Sequence, residues 1–174
     1  MGWQITAFCV EHMTLQELIK DFPCSFSPTG QSFSAEDVFS AMLPVPFAIG
    51  QMGAWTVLCD PLCIITWREQ MLAAFSRGRR IFAFVVEGAS GIYGFWYFVD
   101  GSLVREVLFQ EGTCVEEEGA LLPEERALHH PWGYDEQNVL NLLEQVTGFG
   151  WKQLSGCFFQ GLENDLYSNI RAVR

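Results

Sequence analysis

The chain has 174 residues, with 21 acidic against 10 basic side chains and a formal net charge of −11. Such a surface repels phosphate backbones and anionic lipid headgroups, which argues against nucleic acid or membrane as the main partner. Its 49% hydrophobic and 14% aromatic content argues against disorder and is enough to build a core without disulfide staples or a structural metal.

The opening Met1-Gly2-Trp3-Gln4 lacks the basic and apolar regions of a secretory signal, and no stretch holds the ~18 apolar residues a bilayer span needs. The expectation is a cytoplasmic protein whose six cysteines stay reduced, most of them as small buried hydrophobes.

Residues 3–10 alternate with period two and read as a strand. Thr14-x-x-Glu17 reads as a capping box opening a helix that Pro23 ends. Residues 23–34, rich in Pro, Ser, Gly and Thr, read as a loop, with Ser34 capping a second short helix. Residues 47–49 and 55–59 read as a hairpin around Gly50-Gln51-Met52-Gly53. Thr66-x-x-Glu69 suggests another capping box, with Trp67, Met71, Ala74 and Phe75 on one helical face and Gly78 after its end.

The centre is β-rich. Residues 81–86 are a continuous apolar run, as in a strand covered on both faces. Asp100-Gly101 joins residues 92–99 to 103–110 as a hairpin, so 81–110 reads as an antiparallel meander. The aromatic strand from Tyr93 to Phe98 is apolar on both faces, which suits a second covering layer or a partner surface. Residues 111–126 read as a solvated acidic loop with a turn of helix after Pro123. Pro131-Trp132-Gly133 is a break, Asp135 caps a helix from 136 to about 146, and Gly148 can terminate it.

Catalytic and ligand motifs are sparse. There are three histidines, His12, His129 and His130, and no Gly-x-Ser-x-Gly, P-loop or G-x-G-x-x-G. Cys59-x-x-x-Cys63 has no second cysteine pair to complete a zinc site, so neither metal nor cofactor is implied. Glu116-Glu117-Glu118 reads as a solvated face.

The order of signals resembles a family of small bacterial proteins of unknown function. The matching stretches are Thr6-Ala7-Phe8-Cys9-Val10, Ile49-Gly50 with Trp55-Thr56-Val57-Leu58, Ser76-Arg77-Gly78, Asp100-Gly101 and Trp132-Gly133. The resemblance covers roughly residues 5–148 and supplies no active-site residues. In type, a small acidic α+β protein also resembles bacterial immunity proteins, which neutralise a toxin by binding it.

The expected architecture is one α+β domain, a central antiparallel sheet of about five or six strands with three to five helices mainly on one face. The expected function is a non-enzymatic protein-binding module, immunity-like, facing a basic toxin. Glu116, Glu117 and Glu118 would steer the partner, and Trp132 and Tyr134 would anchor it. The alternatives are a small-molecule domain or enzyme with a pocket between sheet and helices using His12 and buried carboxylates, and a homodimer formed through the aromatic strand.

Overall fold

The computed structural model describes residues 3–40, 43–128 and 134–165. Its strands are β1 (Gln4–Glu11), β2 (Phe26–Ser34), β3 (Phe47–Met52), β4 (Trp55–Cys59), β5 (Arg80–Glu87), β6 (Ile92–Val99), β7 (Ser102–Gln110), β8 (Thr113–Glu118) and β9 (Phe158–Asn164). They form one antiparallel sheet in the order β2-β9-β3-β4-β1-β5-β6-β7-β8. The helices are α1 (Leu15–Asp21), α2 (Ala35–Val38), α3 (Glu69–Phe75), α4 (Pro123–Arg126), α5 (Glu136–Thr147) and α6 (Trp151–Ser155).

Both faces of the sheet are covered. On one, Val139, Leu142, Leu143 and Val146 of α5, with α2 and α6, pack on Ala7, Cys9, Phe82, Phe84, Phe95 and Val107. On the other, Leu18 of α1 and Leu72 of α3 pack on Phe8, Ile49, Ile81, Ala83, Trp96 and Phe98. The apolar run of β5 thus divides alternately between two cores, as its continuity requires. Phe95, Trp96 and Phe98 are buried and Tyr93 and Tyr97 half-buried, so the aromatic strand is largely covered within the chain.

Nine strands replace the five or six expected, and the helices lie on both faces of the sheet instead of mainly on one. The described residues are 42% strand and 26% helix, which makes the protein mainly β and not α+β. The additional strands lie where the side chains are polar or broken by turn residues. β2 occupies the Pro/Ser/Gly stretch because its backbone pairs with β9, with a register shift between Pro28 and Ser32. β8 lies in the acidic segment, turned back onto β7 by Glu111 and Gly112 at φ 49° and 76°. Tertiary pairing overrides local propensity in both.

The local signals fare better. Thr14 and Glu17 close the capping box of α1, with Thr14 N–H donating to the Glu17 carboxylate at 2.7 Å. Asp135 caps α5, and Gly148 ends it at φ 79°. Asp100 and Gly101 form the β6–β7 turn at φ 49° and 88°. The β3–β4 turn is tighter than the four residues expected, since Met52 already pairs with Trp55. Thr66 does not cap a helix. Its N–H and hydroxyl, with the N–H groups of Ile64 and Ile65, bind the buried Asp60 carboxylate at 2.6–3.0 Å, α3 starts only at Glu69, and Trp67 is exposed.

Gly119 ends β8 at φ 81°, and a Cβ there would lie 2.0 Å from the Val104 carbonyl oxygen. Gly112 has a similar φ of 76° with open space around it. Gly112→Ala is therefore expected to cost about 1 kcal/mol of backbone strain. Gly119→Ala, which adds a backbone clash, is expected to cost about 3 kcal/mol or more in urea unfolding. Equal losses at the two sites would contradict the close approach at Gly119.

Candidate functional site

The three glutamates singled out in the sequence are not on a loop. They occupy the end of β8, the outermost strand beside β7, where every residue from Thr113 to Glu118 is exposed. Glu116 pairs with Leu108, Glu117 with Val107 and Glu118 with Glu106. Directly opposed residues share a face, so Glu116 and Glu118 project on the α3 side and Glu117 on the α5 side.

Glu117 meets Arg105, whose side chain is 2% exposed, with Nη2 donating to the Glu117 carboxylate at 2.9 Å. The centre of this arrangement is the Arg105–Glu125 pair. Arg105 Nε donates to Glu125 Oε2 at 3.0 Å and Nη2 to Oε1 at 3.0 Å, and both side chains are buried. Arg105 Nη1 donates to the carbonyls of Glu118 and Gly119 at 3.3 and 3.0 Å. Glu125 also accepts from Leu122 N–H at 2.7 Å and from the Tyr134 hydroxyl at 2.6 Å. One guanidinium thus ties β7 to the end of β8, to α4 and to the chain entering α5.

Burial works against the Arg105 charge, but the Glu125 and Glu117 carboxylates outweigh it and hold the guanidinium above its ordinary value. Burial pushes the Tyr134 phenol well above its usual range, and its hydrogen bond to Glu125 adds to the effect. Tyr134 is half-buried, with its ring 5.7 Å from Phe95 and 5.6 Å from Phe109. It is a buttress of this charged centre and not an exposed anchor. Trp132, with His129 and His130, lies outside the described residues.

On the opposite side of β7, Glu106 takes a hydrogen bond from Trp96 Nε1 at 2.5 Å, and Trp67 stands edge-on to Trp96 at 5.0 Å. Burial pushes the Glu106 carboxyl up to about 7. A hydrogen bond with the Glu116 carboxyl and the charges of Glu116 and Glu69 act in the same direction, while the Trp96 N–H opposes them.

A cavity of about 370 Å³ opens beside the Arg105 centre, lined by Arg105, Glu117, Glu125, Arg126, Tyr134 and apolar neighbours. Its buried charges spend their hydrogen bonds on one another. His12 is elsewhere, an exposed turn residue at φ 52° with Nε2 3.6 Å from Glu11. Cys59 packs in the α5-side core, whereas Cys63 donates to Thr6 Oγ1 at 3.5 Å in the loop outside it. Among the described residues no cluster of three metal-ligating side chains occurs. No helix among them is long and apolar enough to cross a membrane. No family model, curated protein or solved structure matches the chain.

The sequence reading missed Arg105, Glu125 and Glu106. One signal was available: Arg105 and Glu106 are adjacent charges between apolar Leu103-Val104 and Val107-Leu108 in a strand flanked by others. A charge at an inward position of such a strand requires a partner. Which partner it takes is a matter of three-dimensional pairing.

Arg105→Met or Glu125→Leu alone is expected to cost about 3–5 kcal/mol in urea unfolding, because each strands a buried charge. The double variant should lose less than either single one. Additive losses would contradict the pairing. The pH dependence has a definite sign at Glu106. Its folded-state value, about 7, lies above the ordinary 4.5, so the folded chain keeps a proton that the unfolded chain has released. The stabilisation is complete below about pH 4.5 and is lost as pH rises toward 7. Glu106→Gln should therefore raise the unfolding midpoint relative to wild type at pH 8 and change it little at pH 4.5; an equal shift at both would refute the assignment.

Proposed function

We propose that the chain is a cytoplasmic protein-binding module of the immunity-protein type, which takes a basic protein such as a toxin on the acidic β8 edge. The observation that supports this reading is that the sheet ends in a fully exposed strand carrying three successive glutamates. In a chain of net charge −11, that strand is a fixed concentration of negative potential suited to steering a cationic partner. The bland role of such glutamates is protection of the sheet against edge-to-edge aggregation. The two roles are compatible, because a charge that repels copies of the same strand attracts its electrostatic complement.

The small-molecule reading draws on the cavity beside Arg105. A ligand there would have to displace Glu117, Glu125 or main-chain carbonyls from the guanidinium, which favours the protein-binding reading.

The test is capture from a bacterial lysate at low and high salt, with wild type and with Glu116→Lys/Glu118→Lys. The reading predicts one basic protein retained by wild type at low salt and released by high salt or by charge reversal. Recovery of the chain alone at low salt, or a partner held equally by the variant, would contradict it.

A further inference from the structure

Resting on the protein-binding reading, we infer that β8 receives its partner as a tenth strand of the sheet, an extended segment carrying Lys or Arg at alternate positions. The two ends of the sheet are built differently. At one end, β2 contains Pro28 and Gly30 at φ 78°, features that blunt a strand edge. At the other, β8 has no proline, and among the described residues no strand pairs with its outer side. Its outward N–H and C=O groups form a row ready for main-chain pairing.

That row is held in place. The tight Glu111-Gly112 turn sets the register at one end of β8. At the other end Arg105 grips the carbonyls of Glu118 and Gly119, and Gly119 turns the chain away in close contact with Val104. After a register shift around Val115, the pairing of Glu116–Glu118 with β7 is regular. An edge already ordered loses little conformational entropy when a strand adds to it.

The side chains specify the occupant. Glu117 is engaged by Arg105, whereas Glu116, hydrogen-bonded to the Glu106 carboxyl, and Glu118 project together on the α3 side. On an adjacent strand the facing Cβ atoms lie about 5 Å away, within reach of a lysine or arginine at every second residue. A second copy of β8 would bring a second chain of net charge −11 and its own three glutamates to the same edge, which disfavours self-pairing and points to a basic segment of another protein.

The experiment titrates the full chain with a short peptide of alternating Lys and Thr, and with its Glu–Thr counterpart, at low salt. Affinity is read by fluorescence and β8 amide protection by hydrogen exchange. The proposal expects the Lys–Thr peptide alone to bind and to slow exchange in residues 113–118. Glu116→Lys/Glu118→Lys should weaken that binding at least about tenfold, whereas Glu163→Lys on β9 should leave it unchanged. Binding that the charge reversal abolishes without β8 protection would overturn strand addition while leaving a charge-steered binding module intact. Absence of Lys–Thr binding to wild type, in a protein that still captures a basic partner from lysate, would likewise overturn the strand-addition mode alone. Lys–Thr binding that Glu163→Lys weakens as much as Glu116→Lys/Glu118→Lys would overturn the assignment to β8.

Discussion

The acidic end of this molecule depends on one buried ion pair. Arg105 and Glu125 lie in an apolar layer beside Val107, Phe109 and Leu128, where an unpaired charge would cost several kcal/mol. Their burial is tolerable only if the guanidinium donors and the carboxylate oxygens find partners. That requirement fixes the geometry: the end of β8, the Leu122 N–H and the Tyr134 hydroxyl must all converge on the pair. The pair contributes less net stability than its hydrogen bonds suggest, and this arrangement of the surrounding chain is what supplies its partners.

That arrangement determines how the sheet finishes. Helices cover both faces, and the sheet ends at β2 and β8. Both edge strands pair through a register shift, but β2 is broken by Pro28 and Gly30, while β8 is short, tightly turned and clamped by Arg105. The glutamates of β8 therefore project from a rigid frame. Glu117 is drawn into the Arg105 centre, and Glu116 abuts Glu106, whose carboxyl burial pushes up, so the three carboxylates are chemically distinct despite their adjacency.

What the sequence made legible follows from how local each determinant is. The α1 box is written in Thr14 and Glu17, the β6–β7 turn in Asp100-Gly101, and the end of α5 in Gly148, each within a few residues. The apolar run of β5 disclosed that its strand is covered on both sides. β2, β8 and β9 were hidden because their stability resides in pairing with distant or polar neighbours, such as Phe33 with Phe159 and Gln110 with Thr113. The charged centre was hidden for the same reason: Arg105 and Glu125 are separated by the whole β8 hairpin. Tyr134 has the chemistry of a binding residue, yet its hydroxyl serves the Glu125 carboxylate.

The most direct test of this account is hydrogen exchange of the β8 amides in wild type and in Arg105→Met, compared with the amides of β5 and β6 as an internal reference. If the guanidinium holds the edge strand, exchange in residues 113–119 accelerates at least about tenfold in the variant while β5 and β6 stay protected. Unchanged protection of β8 in a folded Arg105→Met protein would contradict the central claim, because the edge would then be ordered without the ion pair.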